Sequence, residues 1–283
     1  MSRSGSASLK RILFGILAVV VLAGMSPKPP DKTVEATPAA YQAWRNAIVQ
    51  IAPKVAAPGH RGIFGRLRHI EPFFASLPSG TKLAAVLYLH DCSGLKIEAI
   101  RDIDELAALG YAVFAPDSFD SRDRKSDCVR FEFVAGLNPD AYWQRQSEIL
   151  VALSEMKKLP WVDSSAIVLY GLGEGALAAA NYSGHDFRGV VLTGWTCGAA
   201  QYPEDIAGLK TPPDVPVLAL VSRYDPWFDR EGHAGNCGAY MGGHKYAQSI
   251  VIENYGLHHL TWANYRASEA VRGFVKLLMP PQL

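Results

Sequence analysis

Three residues in the C-terminal part of the sequence could act together as a general base. Asp225 follows the apolar run "VPVLALVS" at residues 215–222, and His258 and His259 follow the run "QSIVIENY" at residues 248–255. A carboxylate that binds one nitrogen of an imidazole orients the ring, and the other nitrogen can then take a proton from a nucleophile. The pattern indicates acyl-transfer chemistry, provided that a nucleophile lies nearby.

The position at which that nucleophile is expected holds glycine. The apolar run "AIVLY" at residues 166–170 leads into "GLGEG" at residues 171–175 and then into an alanine-rich helix. This strand, turn and helix pattern is that of the G-x-S-x-G motif, whose middle residue carries the nucleophile. The middle residue here is Gly173, which adopts the strained turn without the ~1 to 3 kcal/mol that a residue with a Cβ would cost. The pattern predicts that the turn is kept and the reactive atom is lost.

Short apolar runs alternate with helical patterns from about residue 83 onward. The predicted strands are Leu83–His90, Tyr111–Asp117, Ala166–Gly171, Gly189–Trp195, Val215–Ser222 and Gln248–Tyr255. The predicted helices are Ile97–Leu109, Asp140–Lys158, Gly175–Tyr182 and Ala267–Leu278. Such strands indicate an α/β fold with a mostly parallel sheet that helices cover on both faces. Functional residues should therefore lie in the loops at the carboxyl ends of the strands.

Several of these segments, in this order, resemble the dienelactone hydrolase-like family of the α/β-hydrolase superfamily. The segments are "LYLHDCSGL", "GYAVFAPDSFDSR", "WVDSSAIVLYGLGEGALAAA", "VPVLALVSRYDPW" and "YGLHHL". The resemblance runs from about Thr81 to the C-terminus and implies the α/β-hydrolase fold and the chain order nucleophile, acid, histidine. It places Gly173 in a vacant nucleophile slot and Asp225 as the acid. Because loops of the family read Gly-x-x-His, it favours His259 as the base, with His258 as the alternative.

The resemblance also implies positions for the oxyanion donors. The backbone N–H groups of Cys92 and Glu174 would bind the developing negative charge. The family has glycine after the histidine of the first of these loops, and this chain has Asp91 there. A carboxylate at that position would repel an oxyanion.

Substrate-binding residues are predicted in the same loops. Arg122 is the nearest match to an arginine that holds the substrate carboxylate in the family, because a guanidinium can bind a carboxylate through two nitrogens. Trp195 and Trp227 would form an apolar wall for a ring-bearing or acyl ligand.

Two functions follow from these assignments. The first is a non-catalytic or impaired homologue that binds a small ligand (an ester, a lactone or a carboxylate) or a protein partner. The second is an active ester or lactone hydrolase that uses Cys92, or water activated by His259 and Asp225. We expect neither a metal nor another cofactor. The net charge of +1, from 28 basic and 27 acidic residues, offers no attraction for nucleic acid.

The N-terminus predicts export. A basic segment precedes the apolar run Ile12–Met25, which has the length of a signal-peptide core, so residues 1–26 are a signal peptide or a signal anchor. Residues 27–59 are predicted as a linker with a short amphipathic helix over Ala39–Ala52, and residues 60–283 as the hydrolase-like domain. The four cysteines fit a periplasmic or secreted protein with disulfides, in any of three pairings, and four buried thiols are the alternative.

Overall fold

The structure is a computed structural model that describes residues 34–53, 62–120, 124, 127–138, 140–198, 206–228, 235–253 and 256–279. The predicted signal segment at residues 1–26 lies outside the described residues. In the part of the chain that is described, no helix is long and apolar enough to cross a membrane.

In the described residues the fold has eight strands and six α-helices, with short 3₁₀ helices between some of them. The strands are β1 (Ile48–Ile51), β2 (Ile63–Arg66), β3 (Leu83–Leu89), β4 (Ala112–Ala115), β5 (Val162–Leu172), β6 (Gly189–Thr193), β7 (Val217–Ser222) and β8 (Ala247–Ile252). The helices are α1 (Pro38–Arg45), α2 (Leu67–Ile70), α3 (Ile97–Leu109), α4 (Ala141–Lys158), α5 (Glu174–Ala180) and α6 (Tyr265–Leu278).

The strands form one sheet in the order β2-β1-β4-β3-β5-β6-β7-β8. The pairs from β4 to β8 are parallel, whereas β1 is antiparallel to both β2 and β4. The predicted α/β class with a mostly parallel sheet is confirmed.

The sheet is covered on both faces because its central strands are apolar on both sides. Along β3, the side chains of Leu87 and Leu89 join the core that contains residues of α1, α4 and α5. The alternating residues Val86 and Tyr88 join a second core with residues of α3 and α6. This alternation is the two-residue period of a strand. Because β3, β5, β6 and β7 pair in parallel, their carboxyl ends lie at one edge of the sheet.

The N-terminal segment differs from the predicted helix. The helix ends at Arg45 instead of continuing to Ala52, and residues 48–51 form β1, which pairs with the sheet. Val49 and Ile51 are buried and alternate with half-buried residues, which is the period of a strand and not of a helix. The sheet therefore includes residues before position 60.

Candidate functional site

Gly173 forms the sharp turn between β5 and α5. Its backbone has φ +55° and ψ −115°, a conformation that residues with a Cβ rarely adopt. The neighbouring glycines allow the helix to approach the sheet: a Cβ on Gly171 would overlap the backbone of Gly175, and a Cβ on Gly175 would overlap the carbonyl of Leu89. The turn that would expose a nucleophile is therefore present, with glycine at its apex.

Asp225 and His258 form a buried carboxylate–imidazole pair. The Nδ1 of His258 lies 2.8 Å from the Oδ2 of Asp225. Because a carboxylate only accepts hydrogen bonds, Nδ1 carries the proton and Nε2 is an acceptor in the neutral ring. The other oxygen of Asp225 accepts a bond of 3.0 Å from the backbone N–H of Trp227, which fixes the carboxylate after β7. The structure thus places His258, and not His259, beside Asp225.

The ring of His258 occupies the space above Gly173. A Cβ on Gly173 would lie 2.8 Å from Nε2 of His258 and 3.0 Å from the Cβ of Asp91. On the other side of the ring, a Cβ on Gly194 would lie 2.9 Å from Cε1 of His258. Gly194 also has a positive φ, of +63°. The imidazole is therefore packed between two glycines, and a side chain at position 173 has no room unless His258 moves.

His259 pairs with a different carboxylate. Its Nε2 lies 3.1 Å from the Oδ2 of Asp91, whose Oδ1 accepts bonds of 2.8 Å and 2.6 Å from the backbone N–H and hydroxyl of Ser93. Burial alone would raise the pKa of Asp91, but the hydrogen bond from His259 and the charges of His259 and His258 hold this pKa well below its usual range. The Nδ1 of His259 is buried and has no hydrogen-bond partner.

A cavity of about 280 Å³ lies against the two imidazoles. Its lining residues are Asp91, Glu98, Phe133, Pro226, Trp227, Gly256, Leu257, His258, His259 and Trp262. Gly173 is not among them, because His258 and Asp91 lie over it. Within the described ranges, no three His, Cys, Asp or Glu side chains are grouped so as to hold a metal ion.

The family profile that matches this sequence is that of the dienelactone hydrolase family, over residues 72–234. The chain belongs to the dienelactone hydrolase family. This confirms the resemblance seen in the sequence. No curated protein matches the chain.

Solved structures with low sequence identity to this chain share its fold. One is m3DLH, with 19% identity, which covers 71% of this chain and 89% of its own at a TM-score of 0.51. Another is EstE1, a thermophilic carboxylesterase cloned from a metagenomic library, with 14% identity, coverage of 72% and 83%, and a TM-score of 0.51. The acetyl xylan esterase from Paenibacillus sp. R4 has 13% identity, coverage of 72% and 78%, and a TM-score of 0.50.

Cys92 is not a free thiol. It forms a disulfide with Cys128, and the pair packs against Trp227. A second disulfide joins Cys197 and Cys237. A sulfur that is bonded to another cysteine cannot attack a substrate as a thiolate. Trp227 lines the cavity.

The other predicted site residues lie in different surroundings. The carboxylate of Glu174 binds Arg124 at 2.5 Å and Arg145 at 2.7 Å, so this side chain is held away from the cavity. The backbone N–H of Glu174 lies in the first turn of α5, where no helical carbonyl accepts a hydrogen bond from it. Trp195 is buried in the hydrophobic core and does not line the cavity. Arg122 lies outside the described residues.

Arg145 is a site-supporting residue that the sequence reasoning missed. It is fully buried on α4, where Nε binds Glu174 and Nη1 binds Glu148 at 3.0 Å. Its Nη2 donates to the backbone carbonyl of His90 at 2.6 Å, directly before the loop that carries Asp91. Burial and the charge of Arg145 lower the pKa of His90 well below its usual value, so this ring is neutral. A run of charged and polar residues within the buried helix, "QRQSE", is the signal that could have indicated such a network.

Proposed function

We propose that this chain is an exported member of the dienelactone hydrolase family that has lost nucleophilic hydrolysis and binds a small ligand in the cavity beside His258. The observation that carries the proposal is the geometry at Gly173. Both Nε2 of His258 and the Cβ of Asp91 lie within 3.0 Å of the place where a Cβ would be. The nucleophile is absent, and the space for it is filled.

The remaining groups supply only a minor part of the catalysis expected of a hydrolase. Removing one member of a catalytic triad leaves a residual acceleration of roughly 10³ to 10⁴ over water in known cases. Asp91 adds a carboxylate close to the site where an oxyanion would develop, which disfavours that charge. Cys92, the alternative nucleophile, is held in a disulfide.

The cavity supports a binding role. At about 280 Å³ it is close to the lower limit of known ligand sites, and it combines aromatic side chains with a few polar groups, as such sites do. Esters and lactones of this size are the first compounds to test as ligands.

The two disulfides support export. Cys92–Cys128 and Cys197–Cys237 would form and persist in an oxidising compartment such as the periplasm or the extracellular space. The apolar run at residues 12–25 agrees with this location.

A second candidate function is hydrolysis of an ester or a lactone by water. The buried Asp225–His258 pair, at 2.8 Å, favours it, because this pair could take a proton from a water molecule in the cavity. In this case hydrolysis would require His258 and would not require a nucleophile at position 173.

The test compares hydrolysis of p-nitrophenyl acetate and dihydrocoumarin by the natural protein and by His258→Ala. We expect both proteins to react at the buffer rate. Turnover by the natural protein that disappears in His258→Ala would refute the proposal in favour of the second candidate. A second measurement uses Gly173→Cys, which restores a nucleophile, and Gly173→Ala, the control that adds a Cβ but no nucleophile. The intact mass of each variant after incubation with p-nitrophenyl acetate shows whether position 173 is acylated.

A further inference from the structure

Strand β8 lies at one edge of the sheet and, among the described strands, pairs only with β7. The carbonyls of Tyr246 and Ile252 accept hydrogen bonds from β7 and from the residue that follows it. Successive residues of a strand direct their backbone groups to opposite sides, so Ala247, Ser249 and Val251 direct theirs away from β7. No other described element forms hydrogen bonds with these outward groups. The edge therefore presents a row of backbone donors and acceptors to another strand.

The sequence of β8 contains nothing that blocks such pairing. The strand reads "AQSIVI", with no charged residue and no proline, and its register with β7 is regular. Natural proteins protect edge strands with charges, prolines, bulges or very short strands. The opposite edge of the sheet is protected in this way, because β2 has only four residues, includes Arg66 and is followed directly by α2. Strand β8 is the open edge of the sheet.

A groove of about 600 Å³ borders the start of β8. Its lining includes Tyr246, Ala247 and Gln248 from this region and Phe274 and Leu277 from α6. Leu277 is 83% exposed and Tyr246 is 65% exposed. Exposed apolar surface next to an open edge strand is typical of a contact surface for another protein.

A second copy of β8 in antiparallel orientation matches the outward backbone groups. When Ser249 lies opposite Ser249 of the partner subunit, Ala247 lies opposite Val251 of the partner subunit, and the reverse pair forms at the other end. All of these residues direct their N–H and C=O groups outward, so each pair exchanges two hydrogen bonds. A shift by one residue would oppose outward groups to inward ones, and a shift by two would shorten the paired segment.

The same register brings opposite charges together at both ends of the strand. It places Lys245 opposite Glu253 of the partner subunit, and Glu253 opposite Lys245 of the partner subunit. The ammonium group of Lys245 is exposed and has no carboxylate partner in the described part of the chain. Glu253 binds Arg223 at 2.6 Å, and its carboxylate can accept further donors. Exposed ion pairs add little free energy, but they select the register and the partner.

We propose that β8 pairs with β8 of a second copy of this chain, so that two sheets join into one across a twofold axis at Ser249. Such a contact uses the same residues on both sides and closes at two subunits. An unrelated extended peptide also fits an open edge, but the reciprocal match of Lys245 with Glu253 favours a second copy. The proposal does not depend on the ligand cavity.

The first experiment measures the mass of the full chain by sedimentation equilibrium at concentrations from about 1 to 100 μM. We expect a reversible monomer–dimer equilibrium that weakens as the ionic strength rises, because exposed ion pairs are screened by salt. A protein that stays monomeric over this range would overturn the proposal and leave the edge to an extended peptide.

Two charge reversals test the register. In Lys245→Glu two glutamates meet at each end of the paired strands, and in Glu253→Lys two lysines meet there. We expect each variant alone to dimerise at least about tenfold more weakly than the natural protein, since two attractive contacts become repulsive. In a mixture of the two variants the charges at both ends are opposite again, so the mixed dimer should regain most of the affinity.

The matched control for these variants is Lys82→Glu. This residue is exposed just before β3, in the middle of the sheet, and its reversal changes the net charge by the same amount as Lys245→Glu. We expect it to leave dimerisation unchanged. A mixture of Lys245→Glu and Glu253→Lys that associates no more tightly than either variant alone would contradict the register.

Amide hydrogen exchange tests the pairing residue by residue. The N–H groups of Ala247, Ser249 and Val251 bind the partner strand in the dimer and face water in the monomeric Lys245→Glu variant. We expect them to exchange at least about tenfold more slowly in the natural dimer. The N–H of Gln248 is directed to β7 and should exchange alike in both samples. Equal exchange at Ser249 in both samples would place the contact elsewhere and overturn the proposal.

These measurements are separate from the test of the proposed function. A monomeric natural protein would refute the β8 contact and leave the non-catalytic role in place. Hydrolysis that requires His258 would refute the non-catalytic role and leave the β8 contact in place.

Discussion

Gly173 is subject to two constraints that act on different atoms. Its backbone has φ +55°, which is costly for any residue with a Cβ. Independently, a Cβ there would approach Nε2 of His258 to 2.8 Å, closer than real Cβ atoms come to their neighbours. Any other residue at this position would have to overcome both the strain and the contact.

We therefore expect Gly173→Ala to lower the free energy of unfolding by about 2 to 4 kcal/mol, as the sum of backbone strain and overpacking. Two controls separate these causes. At Gly243 the backbone has φ +102° and an added Cβ would have open space around it, so this position reports strain alone. At Gly242 an added Cβ would also have open space, and φ lies outside the unfavourable range, so neither cause acts there. Chemical denaturation should give a loss of about 1 kcal/mol for Gly243→Ala and less than about 0.5 kcal/mol for Gly242→Ala. A Gly173→Ala protein as stable as Gly242→Ala would show that His258 does not fill the space.

The two histidines mark the limit of what the sequence could predict at this scale. Their position after an apolar run predicted a loop at the carboxyl edge of the sheet for both of them, without saying which carboxylate each would contact. The count Gly-x-x-His favoured His259, but the path of the loop directs His258 to Asp225 and His259 to Asp91. Adjacent residues of a loop face different directions, and only the three-dimensional path of the backbone decides between them.

Among the secondary-structure elements, those with a simple apolar pattern were predictable. Helix α3 has the predicted bounds, Ile97–Leu109, and the six predicted strands correspond to β3–β8. The strands β1 and β2, with four residues each, were missed, because such short segments give too little periodicity to tell a strand from a helix. The pairing of β1 with β4 depends on residues far apart in the chain, which no local pattern reports.

Helix α3 is joined to the site by one buried carboxyl group. Asp102 accepts hydrogen bonds from the hydroxyl of Tyr88 on β3, at 3.0 Å, and from that of Thr261, two residues after His259. Burial raises the pKa of Asp102 to about 6, although the bonds from Thr261 and Tyr88 act in the opposite direction. This carboxyl therefore connects a helix, a strand and the histidine loop, and its protonation changes near neutral pH.

The raised pKa predicts a loss of stability as the pH rises. The folded protein keeps a proton on Asp102 up to a pH of about 6, whereas the unfolded chain releases it near the ordinary value of 3.8. Between these values the folded state binds more protons, so the free energy of unfolding falls with rising pH, by about 3 kcal/mol for this group. Asp102→Asn, which cannot ionise, should lack this loss.

The measurement is the difference in unfolding free energy between the natural protein and Asp102→Asn at a series of pH values. We expect the natural protein to lose stability relative to the variant as the pH rises from about 4 to 6. Asp104→Asn, an exposed position on the same helix, serves as the control. A difference that does not change with pH would show that Asp102 titrates alike in the folded and unfolded chains.

At the scale of the whole molecule, two disulfides fasten loops at the carboxyl edge of the sheet. Cys92 follows β3 and is joined to Cys128, whereas Cys197 follows β6 and is joined to Cys237 after β7. The sequence predicted disulfides from the even number of cysteines but left three pairings open, since pairing depends on which loops the fold brings together. The two bonds close similar lengths of chain, with separations of 36 and 40 residues.

This similarity makes each disulfide a control for the other. Replacing either pair with serine should lower the free energy of unfolding by a comparable amount, about 2 to 5 kcal/mol, because the loops closed in the unfolded chain are nearly equal in length.

The effects of the two disulfides on ligand binding should differ. Cys92 and Cys128 pack against Trp227, which lines the cavity, and Cys92 follows Asp91 directly, whereas Cys197 is buried in the main hydrophobic core. We expect Cys92→Ser with Cys128→Ser to weaken binding of a small lactone such as dihydrocoumarin by about tenfold or more, and Cys197→Ser with Cys237→Ser to change it by less than about threefold, at temperatures where both variants are folded. Equal losses of affinity in the two variants would mean that general stability governs binding, and that the first disulfide does not itself hold the cavity in shape.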